Sequence, residues 1–487
     1  MKAIIIGSGL AGLATAIRLQ HSGIQTTVFE ANNYPGGKLH SFSLGKYRFD
    51  GGPSLFTMPH FVEELFELTG RNTGDYFSFQ KADEACRYFW EDGTFLKAYS
   101  DPEDFISEVE RVLNFPSKTL RAYFAHIENI YKHSGKIFLE KPLNKASTWL
   151  NVDTVKALMR IRQYDIFQSM HESNRTRLGE PHLVQLFDRF ATYNGSDPYR
   201  APGILNVIPW LEHGFGTFFP NGGMVQIPLS LHRLAVDLGV HFEFNTRVTE
   251  IITKNGKATG IKTLFDYYDS DVVISNMDIH FTYEQLLKQA KPPKRILSQE
   301  RSSSALVFYW GINKKFDRLG LHNIFFSDHY QSEFKNIFEK NQVDDDPTVY
   351  VNVSSKFKPN DAPSHGENWF VMVNTSHNAG QDWESIASDI RKTVLTKLSR
   401  MLKTSIEPLI EEEKIWTPKG IEQDTLSYKG ALYGNSSNDK FAAFLRHPNN
   451  AGKYKNLFFC GGSVHPGGGI PLALLSGKIT SSLILKT

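Results

Sequence analysis

Cysteine is nearly missing from this chain. Cys86 and Cys460 are the only two in 487 residues, so no disulfide framework is available and a reducing compartment fits. Cys460 lies in an apolar run and reads as a small buried hydrophobe rather than a reactive thiol. An excess of one charge is also lacking. Lys and Arg number 54 against 52 Asp and Glu, and the net charge of +2 gives no reason to expect a nucleic-acid partner. No apolar stretch reaches the ~20 residues needed to span a bilayer. Residues 1–6 are too short for a secretory signal and run straight into a glycine turn. The expected location is therefore cytoplasmic, with the cytoplasmic face of a membrane as the alternative. There is no Gly-x-Ser-x-Gly elbow, no His-Glu-x-x-His pair and no paired-cysteine spacing, so no metal site is expected. Aromatic residues, by contrast, are plentiful at 13%, with 36 Phe, which suits a Phe-rich core or a large apolar ligand equally.

The most informative segment is the first. Residues 3–6 are apolar and lead into Gly7-x-Gly9-x-x-Gly12, an alanine-rich helical stretch, a second apolar run at 25–29, and then Glu30. Strand, glycine turn, helix, strand and acid together form the dinucleotide fingerprint in its full context. Gly7 permits the tight turn, Gly9 lets backbone approach a pyrophosphate, and Gly12 lets the helix sit close on the strand. The helix N-terminus offers free N–H groups to the phosphates. Glu30 is placed to accept from a ribose hydroxyl, and its charge disfavours NADP. The loop Tyr34-Pro35-Gly36-Gly37-Lys38 and the run Asp50-Gly51-Gly52-Pro53-Ser54 then favour FAD over NAD, because they add backbone and a cation for further phosphate oxygens.

Farther along, residues 60–211 read as mostly helical, with 3–4 spacing of apolar residues at 107–143 and 152–170. Glycine turns and strands return at 216–276, and residues 277–430 mix strands with a helix near 383–401. A strand at 456–460 precedes Gly461-Gly462-Ser463-Val464-His465-Pro466-Gly467-Gly468-Gly469-Ile470-Pro471 and a closing helix. The expected architecture is α/β: a Rossmann-like FAD-binding domain of the glutathione-reductase or amine-oxidase type, assembled from residues 1–59, 216–276 and 455–487. A mixed α+β substrate domain with a helical subregion would occupy 60–215 and 277–454.

These motifs, from the N-terminal glycines to His465-Pro466-Gly467-x-Gly469-Ile470-Pro471, resemble the bacterial carotenoid desaturases of the phytoene-desaturase type along essentially the whole chain. Residues 52–60, Gly-Pro-Ser-Leu-Phe-Thr-Met-Pro-His, look more like the 1-hydroxycarotenoid 3,4-desaturases than the phytoene desaturases. The resemblance implies non-covalently bound FAD and a long polyene substrate. It also implies flavin contacts: Glu30 at the adenosine ribose, Gly37 and Lys38 near the phosphates, Val248 at the adenine end, and Asn276 below the cofactor. Ser54, Leu55, Leu432, Gly462, Gly469 and Ile470 would lie along the flavin. Lys38 stands where the family usually carries arginine, keeping charge but losing a bidentate fork.

In that family the flavin carries the difficult chemistry. The cation left by hydride loss is delocalised into the polyene, so a strong general base is not required. His465 is the titratable residue beside the expected flavin loop and the candidate base, although a capping role explains it as well; His171 and Glu172 are weaker candidates. Peripheral membrane contact is expected for so apolar a substrate, through the basic amphipathic run 156–170 or the aromatic loop 203–219. The electron acceptor is open between a quinone and oxygen. Other readings are a phytoene desaturase, a carotene isomerase, an FAD amine oxidase and a non-enzymatic prenyl-binding escort protein.

Overall fold

A computed structural model describes residues 1–135, 154, 159–439 and 446–486. At its centre is a five-stranded, all-parallel sheet in the order Leu457–Phe459, Val272–Ser275, Lys2–Ile6, Gln25–Phe29, His241–Glu243. Two of the neighbouring strand pairs join residues more than two hundred positions apart, such as Ile5 opposite Ile274 and Val28 opposite Phe242, and a third joins Ile274 to the distant Phe458. The first strand is apolar on both faces because both are covered. Ala3 and Ile5 pack with the helices Leu10–His21, Gln226–Asp237 and Ile470–Ile484. Ile4 and Ile6 pack under a small antiparallel sheet, Glu250–Lys254, Lys257–Lys262 and Tyr267–Asp269. This is the pattern of a parallel strand buried on both sides.

Gly477 draws the closing helix against the first one. A Cβ there would lie 2.8 Å from the Ala11 carbonyl oxygen and 2.9 Å from Ala14 Cβ. The middle of the closing helix thus lies against the start of the first, and the first residues of both, Leu10 and Ile470, line one cavity.

A second sheet has seven strands, in the order Ile410–Trp416, Ser304–Ile312, Glu367–Thr375, Val349–Asn352, His322–Phe325, Glu84–Phe89, Phe95–Tyr99. Alternation along Ser304–Ile312 separates its faces. Leu306, Phe308 and Trp310 meet the helix Trp383–Met401. Ala305 and Val307 turn the other way, into a cavity shared with the parallel sheet.

Residues 79–99 depart from the mostly helical reading of 60–211. They form Phe79–Lys81 and the hairpin Glu84–Phe89/Phe95–Tyr99, which turns at Asp92-Gly93 and pairs through Tyr88 with Ile324. The alternation of buried and half-buried residues in Phe95–Tyr99 is that of a strand. What makes the hairpin stable is a partner strand more than two hundred residues away. The expected helices over 107–143 resolve into Pro102–Leu113 and Ser117–Ile130; residues 136–143 of that run, and most of 152–158, lie outside the described residues. Among the described residues, no helix is long and apolar enough to cross a membrane.

Candidate active site

A single cavity of about 650 Å³ runs between the two sheets, within the usual size of cofactor and small-ligand sites. Of the residues expected to touch the cofactor, Gly7, Gly9, Glu30, Gly37, Lys38, Ser54, Leu55, Val248, Asn276, Leu432, Gly462, Gly469 and Ile470 all line it. Gly12 does not; it packs. A Cβ on Gly12 would stand 2.2 Å from the Gly7 carbonyl oxygen and 2.9 Å from Asn276 Nδ2. Asn276 Nδ2 donates to that same carbonyl at 3.2 Å, so Asn276 buttresses the glycine turn and forces bare backbone at Gly9 and Gly12.

Glu30 is buried, 6% exposed. One carboxylate oxygen accepts from the Ser8 N–H at 2.7 Å and the Ser8 hydroxyl at 2.8 Å, and the other from the Asn32 N–H at 2.9 Å. Three of its roughly four acceptor positions are used, which leaves capacity for one more donor from the cavity.

The helices Leu10–His21 and Ile470–Ile484 both begin at the cavity, with Gly9 and Gly469 as N-caps. Neither has a capping side chain or an acid in its first turn. Their first N–H groups are thus open to an anionic ligand. Gly469 has φ +110° and open space where a Cβ would be. These features fit a dinucleotide whose phosphates meet one helix and whose redox ring meets the other.

Lys38 joins the two ends of the chain. Its Nζ donates to the Leu432 carbonyl oxygen at 3.2 Å. Burial lowers its pKa, and the nearby Asp278 carboxylate opposes that shift. Asp50, read from the sequence as part of the phosphate loops, turns away from the cavity. It accepts from the Met224 and Val225 N–H groups at the start of a helix and pairs with Arg48 at 2.7 Å.

His465 does not line the cavity, although Pro466 does. Its N–H donates to the His447 carbonyl at 2.9 Å, and its own carbonyl accepts from Asn449 Nδ2 and Ser476 Oγ, both at 2.9 Å. Those bonds fasten the glycine loop to the closing helix. His171 bonds Asp188 at 2.6 Å, and Glu172 completes a capping box with Ser169; neither faces the cavity.

The far wall holds polar residues that the sequence reading did not single out. Arg189 lies among the rings of Tyr88, Phe190 and Tyr193, donates to the Tyr88 and Tyr193 hydroxyls at 2.8 and 3.0 Å, and stands 3.9 Å from Glu212. Tyr193 donates to Glu212 at 2.7 Å. Burial raises the Glu212 pKa and the Arg189 charge opposes it. His322 and Tyr350, on adjacent strands of the second sheet, bond each other at 2.7 Å, and Tyr350 bonds Ser54 at 2.7 Å. No local motif marks these residues, because strand pairing and side-chain direction bring them together. The segment 203–219 is in part a cavity wall: Ile204, Leu205, Val207, Ile208 and Leu211 line it.

A Rossmann-type sheet closed by two distant chain segments, with an apolar cavity opening from its glycine loops, defines a flavoprotein oxidoreductase fold. The chain belongs to the flavin-containing amine oxidoreductase family, whose model matches residues 10–485, and its cofactor is FAD. It is 50% identical over 486 residues, 100% of this chain and 99% of the relative, to a 1-hydroxycarotenoid 3,4-desaturase of Flavobacterium sp. (strain P99-3). A 4,4'-diapolycopene oxygenase of Methylomonas sp. is 32% identical, with 99% of this chain and 98% of the relative covered. An oxidoreductase of Methanosarcina mazei, of solved structure, shares the fold at 16% identity and TM-score 0.64 over the full length of both chains.

Proposed function

We propose that this protein is an FAD-dependent carotenoid desaturase that introduces the C-3,4 double bond into a 1-hydroxylated carotenoid. The observation that carries the reading is the 50% identity, end to end, to a relative of that activity. The cavity agrees with it: beyond the glycine loops its walls include Leu205, Ile208, Ile324, Phe370 and Met372, a surface suited to a hydrocarbon chain.

When bound, FAD supplies the two-electron acceptor for hydrogen removal. Glu30 would hold the adenosine ribose, with Val248 at the adenine end and Asn276 keeping the glycine turn in shape beneath it. The N–H groups following Gly9 would take the phosphates. Those following Gly469 would face the flavin with Gly462, Leu432, Ser54 and Leu55. Lys38 would bring its ammonium to the Leu432 side of the cofactor. The apolar walls would exclude water and hold the reacting carbons in register. An external acceptor, quinone or oxygen, would complete the cycle.

Peripheral membrane contact belongs to the same proposal. In the run 156–170, Met159 and Phe167 are 81% and 72% exposed beside Arg160. Lys156 and Leu158 of that run lie outside the described residues. Flotation with anionic liposomes is expected, and protein that stays in the dense fraction with and without substrate would refute the contact.

Pigment analysis tests the reaction. Expressed in cells that accumulate 1-hydroxylated carotenoids, the protein is expected to lengthen the conjugated system by one double bond and to leave phytoene unchanged. Conversion of phytoene alone would assign the other desaturation step, and conversion of neither would refute a desaturase.

A further inference from the structure

His322 places in the cavity wall a polar atom with no hydrogen-bond partner and a fixed chemical character. His322 is 3% exposed, and its Nε2 makes no hydrogen bond. Its other ring nitrogen, Nδ1, meets the Tyr350 hydroxyl at 2.7 Å and Asn352 Nδ2 at 3.2 Å. An amide nitrogen can only donate, so Nδ1 is the acceptor, and the proton of a neutral imidazole must then sit on Nε2. Burial and the Arg189 charge push the His322 pKa down to about 3, which keeps the ring neutral at physiological pH. Nε2–H is therefore a buried donor without an acceptor, an arrangement native structures seldom leave unused.

Its direction is maintained by a relay. Tyr350, donating to Nδ1, has its lone pairs free to accept from the Ser54 hydroxyl at 2.7 Å. Ser54 follows the glycine loop Gly51-Gly52-Pro53, and both Ser54 and His322 line the cavity. The cavity wall includes Ile324 on the same strand as His322 and Phe370 and Met372 on the sheet, and the Arg189 guanidinium lies near enough for its charge to act on the ring. A polyene gives such a donor nothing to bond, whereas an oxygen on its end group does.

We propose that His322 Nε2–H accommodates the C-1 hydroxyl of the substrate, which makes His322 a specificity-determining residue for the hydroxylated end. This inference rests on the functional reading above. In a 1-hydroxycarotenoid the bond to be oxidised begins two carbons from the carbon that bears the hydroxyl. Whatever holds that oxygen must therefore stand beside the flavin, and the Ser54–Tyr350–His322 relay puts the donor two hydrogen bonds from the loop expected there. One hydrogen bond at C-1 would then set the register of the whole chain, a task that apolar walls alone perform poorly because each methylene resembles the next.

The test is a competition between a 1-hydroxycarotenoid and the same polyene with hydrogen in place of the hydroxyl, using flavin-loaded wild type, His322→Leu, His322→Gln and Tyr350→Phe. Wild type is expected to favour the hydroxylated substrate in kcat/KM. His322→Leu is expected to reduce that preference by about tenfold, the worth of one neutral hydrogen bond, with the loss confined to the hydroxylated substrate. His322→Gln, which keeps an amide donor, is expected to recover part of it. Tyr350→Phe, which removes the shorter of the two hydrogen bonds that hold the ring in place, is expected to lower it. An unchanged preference in His322→Leu overturns the proposal. Should that variant fail to bind flavin, an unchanged preference in both His322→Gln and Tyr350→Phe overturns it. Wild type that converts neither carotenoid refutes the functional reading itself, a result distinct from a preference that survives loss of the histidine.

Discussion

Substituting Gly12 with alanine opposes two effects of known size. Within a helix, alanine gains about 1 kcal/mol over glycine. At this position the new Cβ would meet the Gly7 carbonyl oxygen at 2.2 Å and Asn276 Nδ2 at 2.9 Å. Gly7 cannot easily retreat, because its N–H donates to the Phe29 carbonyl at 2.8 Å and its own carbonyl accepts from Asn276. Overpacking against fixed backbone costs about 1–3 kcal/mol, and more where no rotamer relieves it. An alanine Cβ has no rotamer to relieve the contact, so the upper part of that range, about 2–3 kcal/mol, applies; the clash outweighs the propensity gain, and Gly12→Ala is expected to lose about 1–2 kcal/mol of stability. It should also weaken flavin binding, since relief requires the first helix to shift from the turn. Urea unfolding and the fluorescence of released flavin measure the two effects. Gly23→Ala provides the contrast. Gly23 has φ +81° with nothing within 4 Å of a Cβ, so it should cost about 1–2 kcal/mol of backbone strain and leave flavin retention unchanged. A Gly12→Ala protein as stable as wild type and fully loaded with flavin would refute the packing argument.

Two further outcomes follow from single side chains. Glu30→Gln turns one of two acceptor oxygens into a donor facing the Ser8 or Asn32 donors; it is expected to cost about 1–3 kcal/mol and to raise the flavin dissociation constant, measured by fluorescence titration, whereas unaltered flavin binding would remove Glu30 from the site. Asp165 accepts from His126, Ser173 and Arg177, which together outweigh burial and hold its pKa at about 2. Since this lies below the unfolded value of about 3.9, the native state binds fewer protons than the unfolded chain between the two. The stability Asp165 contributes is thus present above pH ~4 and lost as pH falls towards ~2; acid unfolding of Asp165→Asn should be less steep over that window than that of wild type.

The cofactor half of the cavity was legible because its determinants are local. Strand, glycine turn, helix and acid occupy the first thirty residues, so spacing sufficed there, while the closing loop carries its glycines in one run whose place beside the cofactor was implied by the resemblance to the carotenoid desaturases. Even there, close packing was hidden: Asn276 pressing on Gly9 and Gly12, and Asp50 capping a helix instead of facing phosphate, depend on segments brought together only by folding. The substrate half was nearly silent. His322, Tyr350 and Ser54 come from three separate segments and meet through strand register and side-chain direction, which leave no spacing to read. Arg189 and Glu212 look like ordinary helix-surface charges until the rings of Tyr88 and Tyr193 enclose the guanidinium. The hairpin at 84–99 was missed because its partner, His322–Phe325, lies far along the chain.

The most direct measurement is an anaerobic titration of the purified holoprotein with a 1-hydroxycarotenoid, following the flavin absorption band and the polyene spectrum together. The desaturase assignment predicts that the flavin band bleaches in step with a red shift of the carotenoid by one conjugated double bond, and that small amines leave the band untouched. Bleaching by an amine alone, or a flavin band that no carotenoid changes, would contradict it.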